Sequence, residues 1–405
     1  MSNVTKILER VTAGKRLSAE EILLMYEAPI EELRIAADEI RRQKTPPEIA
    51  YYVISGTIDY TNVCSVGCGF CHFYRTRHHP EASTLTREEI LGQIEELSKV
   101  GARLILFQGG INPDLPFEWY EDVLRAVKSE YPGIHIDGFS PEEVFGMERL
   151  TGRSSKELLE RLKQAGLDGL PGASAEILVD DVRRLTAPAR ISTRDWCRII
   201  EEALEVGLHS SWVSMVFGMG ETASERVAHL TLLRQIQDRA LERSYPSRFF
   251  SFKVWPMRLA STRASRRVVS RGGRVYPLGR EELEEERVQR DAASSLAEQT
   301  AATYLREVAI ARLALDNIPN HSALWLTQGF KVAQMALQSG ANDLQETGAI
   351  NAVNAAVLAA GGALPQVTPQ LLSQIFNCIQ AVGRKPTQRD AYYRVVESAG
   401  LQYEH

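Results

Sequence analysis

The amino-acid sequence predicts an α/β protein built on parallel strands, as either a barrel or a doubly wound sheet. Three observations carry that reading. Strand-like and helix-like segments alternate from residue 51 to residue 254, glycine-rich turns follow several of the strand-like segments, and 405 residues suffice for one such unit with flanking segments. Alternation at this spacing implies right-handed crossovers between neighbouring parallel strands.

The elements follow in order. From residue 3 to 42 apolar positions recur at helical spacing (Ile7, Leu8, Val11, then Ile22, Leu23, Leu24, then Leu33, Ile35, Ala36, Ile40). Ser18 with Glu21 has the form of a capping box, and Pro46–Pro47 ends this helical lead-in. Residues 51–60 are β-branched and aromatic and read as a strand. Helices are expected over 84–100, 116–130, 154–165, 193–206 and 222–240, and strands over 103–107, 134–137, 167–170, 211–217 and 249–254. Residues 261–274, rich in Arg and Ser, read as an exposed loop, 281–287 as a solvated charged helix face, and 292–316 as a long helical stretch. Helical signals alternate with turns from His321 onward. These segments divide the chain into a lead-in (1–48), a barrel unit (49–320) and a mainly helical end (321–405).

Gly109–Gly110, Pro171–Gly172, Gly218 and Gly220 follow strand-like segments. In a barrel such turns share the C-terminal face, where active sites are built. Simple turn chemistry explains each pair equally well.

Hydrophobic residues make up 44% and charged residues 24%, as in a globular protein with a sizeable core. A net charge of −5 offers no basic excess for nucleic acid or an anionic membrane. Residues 1–16 hold no apolar run of signal-peptide length, and no stretch is long enough to span a bilayer, so the expected compartment is the cytoplasm.

Three of the five cysteines fall in Cys64-Ser-Val-Gly-Cys68-Gly-Phe-Cys71, with the spacing C-x3-C-x2-C. That is a poor disulfide pattern and a good metal-binding one in a reducing compartment. Three thiolates from one short loop can cap three corners of a 4Fe–4S cubane and leave the fourth iron open to the amino and carboxylate groups of S-adenosylmethionine (SAM). The alternative is a structural zinc site with His72 or His78 as fourth ligand. Cys197 and Cys378 stand alone in helical stretches and read as small buried hydrophobes.

Further motifs extend the pattern. Tyr60-Thr-Asn-Val-Cys64, Cys71-His-Phe-Tyr-Arg75, Gln108-Gly-Gly-Ile-Asn-Pro-Asp114, the segment from Ile134 to Pro141 and the segment from Ala165 to Gly172 resemble the radical SAM enzymes of the futalosine route to menaquinone, and deazaflavin synthase. Ala175-Glu-Ile-Leu178, Leu315-Asp-Asn-Ile-Pro-Asn320, Trp325-Leu-Thr-Gln-Gly329, Gly340-Ala-Asn-Asp343 and Gln388-Arg-Asp390 bring the cyclic dehypoxanthinyl futalosine synthases nearest. The resemblance runs from about Tyr51 to Tyr393.

It implies a (β/α)8 barrel closed at one end by C-terminal helices. Its cofactors would be SAM and a 4Fe–4S cluster on Cys64, Cys68 and Cys71. Phe70 would pack near the adenine, and Gln108, Gly109 and Gly110 would form the strand end that binds SAM's methionine part. Glu176 matches an acidic residue near the SAM ribose or amine, and Ser140 and Glu142 match polar positions facing SAM or substrate. Glu176 and Asp343 are the candidate catalytic acids. Glu176 could also only cap a helix, and Asp343 could only belong to a turn. The implied partners are a nucleoside-like small-molecule substrate and an electron donor such as flavodoxin or ferredoxin. The implied chemistry is hydrogen abstraction followed by radical cyclisation, or a different radical cyclisation on another nucleoside or specialised metabolite.

Three departures favour that second possibility. Gly172-Ala-Ser-Ala-Glu176 stands where the family writes Gly-Gly-Gly-Ala-Glu, Met219 stands where it has His, and residues 344–351 replace a Gly–Thr–Met segment followed by paired glutamates. Methionine offers neither the hydrogen-bond donor nor the base that imidazole supplies.

Overall fold

The computed structural model describes residues 3–71, 73–257, 268–271, 274–277, 300–344 and 368–396, and the backbone alone at Leu185 and in residues 268–271 and 274–277. Three helices lead in: α1 (Asn3–Thr12), α2 (Ala19–Leu24) and α3 (Ile30–Lys44). The Ser18 hydroxyl accepts from Glu21 N while the Glu21 carboxylate accepts from Ser18 N, which satisfies two backbone donors at the start of α2.

The chain then enters β1 (Ile49–Tyr52) and β2 (Ser55–Asp59), two halves of one strand path interrupted at Val53 and Ile54. Next come α4 (Arg87–Lys99), β3 (Leu104–Gln108), α5 (Phe117–Glu130), β4 (His135–Gly138), α6 (Pro141–Thr151), α7 (Ser155–Ala165), α8 (Asp180–Thr186), α9 (Thr193–Val206), β5 (Val213–Phe217), α10 (Ala223–Glu242) and β6 (Ser251–Pro256). A short antiparallel hairpin, β7 (Val268–Arg271) and β8 (Arg274–Pro277), is followed by α11 (Ala301–Ala314), β9 (Asn320–Ser322), α12 (Trp325–Leu337), β10 (Asp343–Leu344), α13 (Pro369–Gln380) and β11 (Lys385–Gln388). Glycines in the left-handed region end α6, α7 and α9, at Gly152, Gly166 and Gly207. Thr222 and Glu225 form a capping box that opens α10. Thr222→Ala is expected to lower stability by about 1 kcal/mol in urea unfolding, the usual worth of such a cap.

The sheet closes on itself. β2, β3 and β4 pair in parallel, with Ser55 opposite Leu104 and Leu104 opposite His135. Single parallel bridges (Asp137 to Gly169, Gly169 to His209, Gly172 to Val213) carry the ladder across to β5. β5, β6, β9, β10 and β1 then pair in parallel. Because β1 bonds to β10 while its continuation β2 bonds to β3, the strand path 49–59 is the seam of a (β/α)8-type barrel. β11 adds a further parallel pairing along β1, from Ile49 opposite Lys385 to Tyr52 opposite Gln388.

The structure departs from expectation at two unexpected helices, α6 and α8, and at several short strands. The stretch after residue 320 carries β10 and β11 besides its helices, strands of two to four residues that are too brief for an alternating pattern to show. Residues 167–170 contribute isolated bridges and no continuous strand. Part of the expected loop at 261–274 is the hairpin, and the rest of it, the charge run at 281–287 and residues 292–299 lie outside the described residues.

The N-terminal end of the barrel is plugged by the C-terminal segment. Tyr392 packs edge-on against His135 and His209, with ring centroids 5.2 and 4.1 Å away. Deeper in, the buried Asp343 carboxylate accepts from Arg389 Nε (3.0 Å) and Nη2 (2.7 Å), from Tyr393 Oη (2.9 Å) and from Ser322 Oγ (3.0 Å). Its neighbour Asn342 accepts from Arg312 (2.9 Å) and donates to Thr45 and Asn320, tying α11, β9 and the lead-in together. Among the described residues no helix is long and apolar enough to cross a membrane.

Candidate functional site

The cysteine loop leaves the C-terminal end of β2 and is fastened to the neighbouring strand. Ser65 N donates to Ile111 O (3.0 Å), Gly110 N to Thr61 O (3.0 Å) and Cys64 N to Arg75 O (3.0 Å). A Cβ on Gly110 would run into the Val63 carbonyl and lie 2.7 Å from Cys64 Cβ, and one on Gly109 would lie 2.6 Å from the Tyr60 ring. Both glycines are therefore required for the loop to sit against the end of β3. Gly67 takes φ +63°, which lets the loop turn inside the motif.

All five cysteines are free thiols. Burial pushes the Cys68 thiol up to about 12 and raises that of Cys71, so each stays protonated until a metal charge arrives to draw off the proton. Among the described residues no three His, Cys, Asp or Glu side chains gather closely enough to grip one metal ion. Three thiolates on one short loop, with the spacing C-x3-C-x2-C, are the donor set a 4Fe–4S cubane takes, each thiolate on a different iron. His72, one proposed zinc ligand, lies outside the described residues, and His78 is exposed.

Arg190 sits at the centre of the surrounding network. Its guanidinium pairs with Glu176, donates from Nε to Glu142 (3.3 Å) and from Nη2 to Ser174 O (2.9 Å), and lies over the Phe70 ring at 5.4 Å. The paired carboxylates hold its pKa above the ordinary arginine value. Arg183 fixes the same loop from behind, donating to the Ser174, Ala175 and Ile191 carbonyls. Ser174 and Glu176 both adopt left-handed backbone, φ +58° and +36°, in the segment where the family carries extra glycine. The structure thus brings Phe70, Glu142 and Glu176 together around an arginine that sequence reasoning missed. A lone Arg in a loop carries no periodic signal, so only its three-dimensional partners reveal it.

A second network lies beneath Gly109. Glu143 Oε1 accepts from Tyr60 Oη (2.7 Å) and Gly109 N (3.0 Å), and Oε2 accepts from Ser140 Oγ (2.7 Å). Ser140 is also the N-cap of α6. Burial raises the Glu143 carboxyl from 4.5 to about 7. A carboxyl whose folded pKa is raised contributes stability that is complete below pH 4.5 and lost as pH climbs through about 7. Glu143→Gln keeps the shape and removes the ionisation, so its stability is expected to fall less than the wild type's between pH 5 and about 8. Parallel thermal unfolding curves at each pH would refute this.

Two other expected sites stand elsewhere. Asp343 is held by Arg389, Tyr393 and Ser322, apart from the Arg190 network. Met219 is buried in a firm turn, with Gly218 and Gly220 at φ +90° and +93° and the Glu221 carboxylate accepting from Gly218 N (2.8 Å) and Met219 N (2.7 Å). Arg226 anchors Glu221 at 2.6 Å. Of the departure at residues 344–351, residues 345–351 lie outside the described residues.

Comparison with known proteins agrees with this geometry. The radical SAM superfamily model matches residues 58–233, and the CofH/MqnC C-terminal region model matches residues 283–400. A cyclic dehypoxanthine futalosine synthase of Halalkalibacterium halodurans is 33% identical over 397 residues, covering 98% of this chain and 96% of the relative. A 5-amino-6-(D-ribitylamino)uracil–L-tyrosine 4-hydroxyphenyl transferase of Microcystis aeruginosa is 32% identical over 400 residues, covering 96% of this chain and 98% of the relative. In fold, the chain resembles the FeFe-hydrogenase maturase HydG of Carboxydothermus hydrogenoformans, with a TM-score of 0.68 at 16% identity over 96% of this chain and 80% of that one. On its cysteine loop, its barrel and these near full-length relatives, the chain belongs to the radical SAM superfamily, among the enzymes with a CofH/MqnC C-terminal region that use a 4Fe–4S cluster and SAM.

Proposed function

We propose that this enzyme performs the reaction of the cyclic dehypoxanthine futalosine synthases: hydrogen abstraction from a nucleoside-like substrate followed by radical cyclisation. The observation that carries the proposal is the match to such a synthase over nearly the whole of both chains. When bound, cluster and SAM supply the one-electron reductive cleavage that yields a hydrogen-abstracting 5′-deoxyadenosyl radical.

The chain's own residues have distinct tasks. Cys64, Cys68 and Cys71 hold the cluster. Gln108, Gly109 and Gly110 form the strand end for the methionine part of SAM, backed by Glu143 and Ser140. Phe70 offers a face to the adenine and is itself steadied by Arg190. Glu176 and Glu142, fixed on Arg190, present carboxylate oxygens toward the SAM ribose or amine. Asp343 has its acceptor positions filled, and we assign it to fixing the C-terminal segment that plugs the N-terminal end of the barrel. A flavodoxin- or ferredoxin-type protein would reduce the cluster. Five unpaired thiols suit the reducing cytoplasm.

The test is anaerobic incubation with SAM, dithionite and dehypoxanthine futalosine. Substrate-stimulated 5′-deoxyadenosine and a product two hydrogens lighter are expected. The transferase relatives, nearly as similar over the full length, support a second reading. Stimulation only by 5-amino-6-(D-ribitylamino)uracil with tyrosine would replace the first reading with that one.

A further inference from the structure

Asp59 is the last residue of β2 and precedes Cys64 by five positions. Strand alternation puts Thr57 and Asp59 on the face opposite Gly56, and Gly56 lies directly against Leu97 of α4 on the helix side. Asp59 therefore faces the barrel interior, at the C-terminal end where the cysteine loop begins. Its Oδ1 accepts from Gln108 Nε2 (2.8 Å), and its Oδ2 is buried with no hydrogen-bond partner among the described residues. A buried carboxylate oxygen without a donor is costly and uncommon in native structures. Burial correspondingly lifts the carboxyl from 3.8 to about 6. The side chain is held in place through Gln108 at the strand end assigned to SAM, while Tyr60, the next residue, is fixed to Glu143. The orphan oxygen thus sits between two anchored neighbours at the C-terminal end of β2, beside the strand end assigned to SAM.

We propose that Asp59 is a substrate-recognition residue whose Oδ2 accepts a hydrogen bond from a hydroxyl of a sugar-derived chain on the substrate. This rests on the reading of the substrate as nucleoside-like. An ionised carboxylate only accepts hydrogen bonds, and a polyol chain offers several donors. The aminouracil named for the transferase relatives carries such a chain, its ribityl group, and a nucleoside-like substrate carries a sugar.

The experiment compares wild type and Asp59→Ala anaerobically on dehypoxanthine futalosine, on the ribitylaminouracil with tyrosine, and on analogues of each lacking one hydroxyl. Rates are expressed relative to each variant's own substrate-free SAM cleavage. Asp59→Ala is expected to lower kcat/KM by about ten- to a hundredfold on the intact substrate, and by less than about threefold on the one analogue whose missing hydroxyl was the partner. Losses that multiply for every analogue, or a variant equal to wild type, overturn the assignment. Wild-type turnover of the ribityl compound alone, with this non-additivity, retires the proposed cyclisation and keeps Asp59 in its role. Turnover of dehypoxanthine futalosine with indifference to Asp59 does the reverse, and acceptance of neither compound overturns both. Asp59→Val, which is close in size and offers the substrate no hydrogen-bonding group, carries the same test where the alanine variant does not fold.

Discussion

Cys68→Ala is expected to abolish the iron–sulfur absorption near about 400 nm and all formation of 5′-deoxyadenosine after anaerobic reconstitution. The cubane loses one of three protein ligands, and two thiolates from the same loop cannot hold it at the geometry that leaves a single iron free. The loop's fastening to β3 through Ser65 and Gly110 makes compensation by a neighbouring side chain difficult, because its backbone is fixed on both sides. The controls are Cys197→Ala and Cys378→Ala. Cys197 lies in α9, and Cys378 is buried in α13 with its Sγ 3.6 Å from the Phe330 carbonyl, so both variants should keep the absorption. A Cys68 variant that still binds iron and cleaves SAM would sink the ligand assignment.

Arg190→Met should be the most destabilising change in the site. It removes the cation from between Glu142 and Glu176, and breaking a buried pair from one side costs about 3–5 kcal/mol because an uncompensated charge stays behind. Arg183 reaches Glu142 only at 3.9 Å and is already committed to three carbonyls. Arg190→Lys restores the charge without the planar fork that reaches two carboxylates and a carbonyl at once, so an intermediate loss is expected. Urea unfolding of the three proteins under anaerobic conditions gives the order directly. A methionine variant within about 0.5 kcal/mol of wild type would show that the network is solvated and carries no such load.

The parts that could be read in the sequence are those whose signal is local. The three cysteines proposed as ligands lie within eight residues, and their spacing alone limits the chemistry. The expected helices and strands of the barrel's first half carry long apolar periods, and their observed bounds differ from the expected ones by up to three residues, whereas α6 was not expected. Arg190 could not be read, because its importance comes from Phe70, Glu142 and Glu176, which arrive from two other loops and the first turn of α6. Glu142 and Glu143 are adjacent in the first turn of α6, and a helix turns about 100° between them; sequence could not say which faces Arg190 and which lies under Gly109. Asp343 was conspicuous within Gly340-Ala-Asn-Asp343, yet its partners Arg389 and Tyr393 are more than forty positions later. The late strands β9 to β11 are fixed by pairing with β1 and β6, which no local pattern encodes.

The seam of the barrel has a consequence for biosynthesis. The strand that begins the sheet waits for β10 and β11, which leave the ribosome some three hundred residues later. Until then the nascent chain exposes an unpaired strand edge and a half-built interior, the condition in which large proteins collect off-pathway partners. Cluster insertion therefore has a natural order: the thiol loop is translated early, but the lumen that shelters it is complete only when Arg389 has locked onto Asp343.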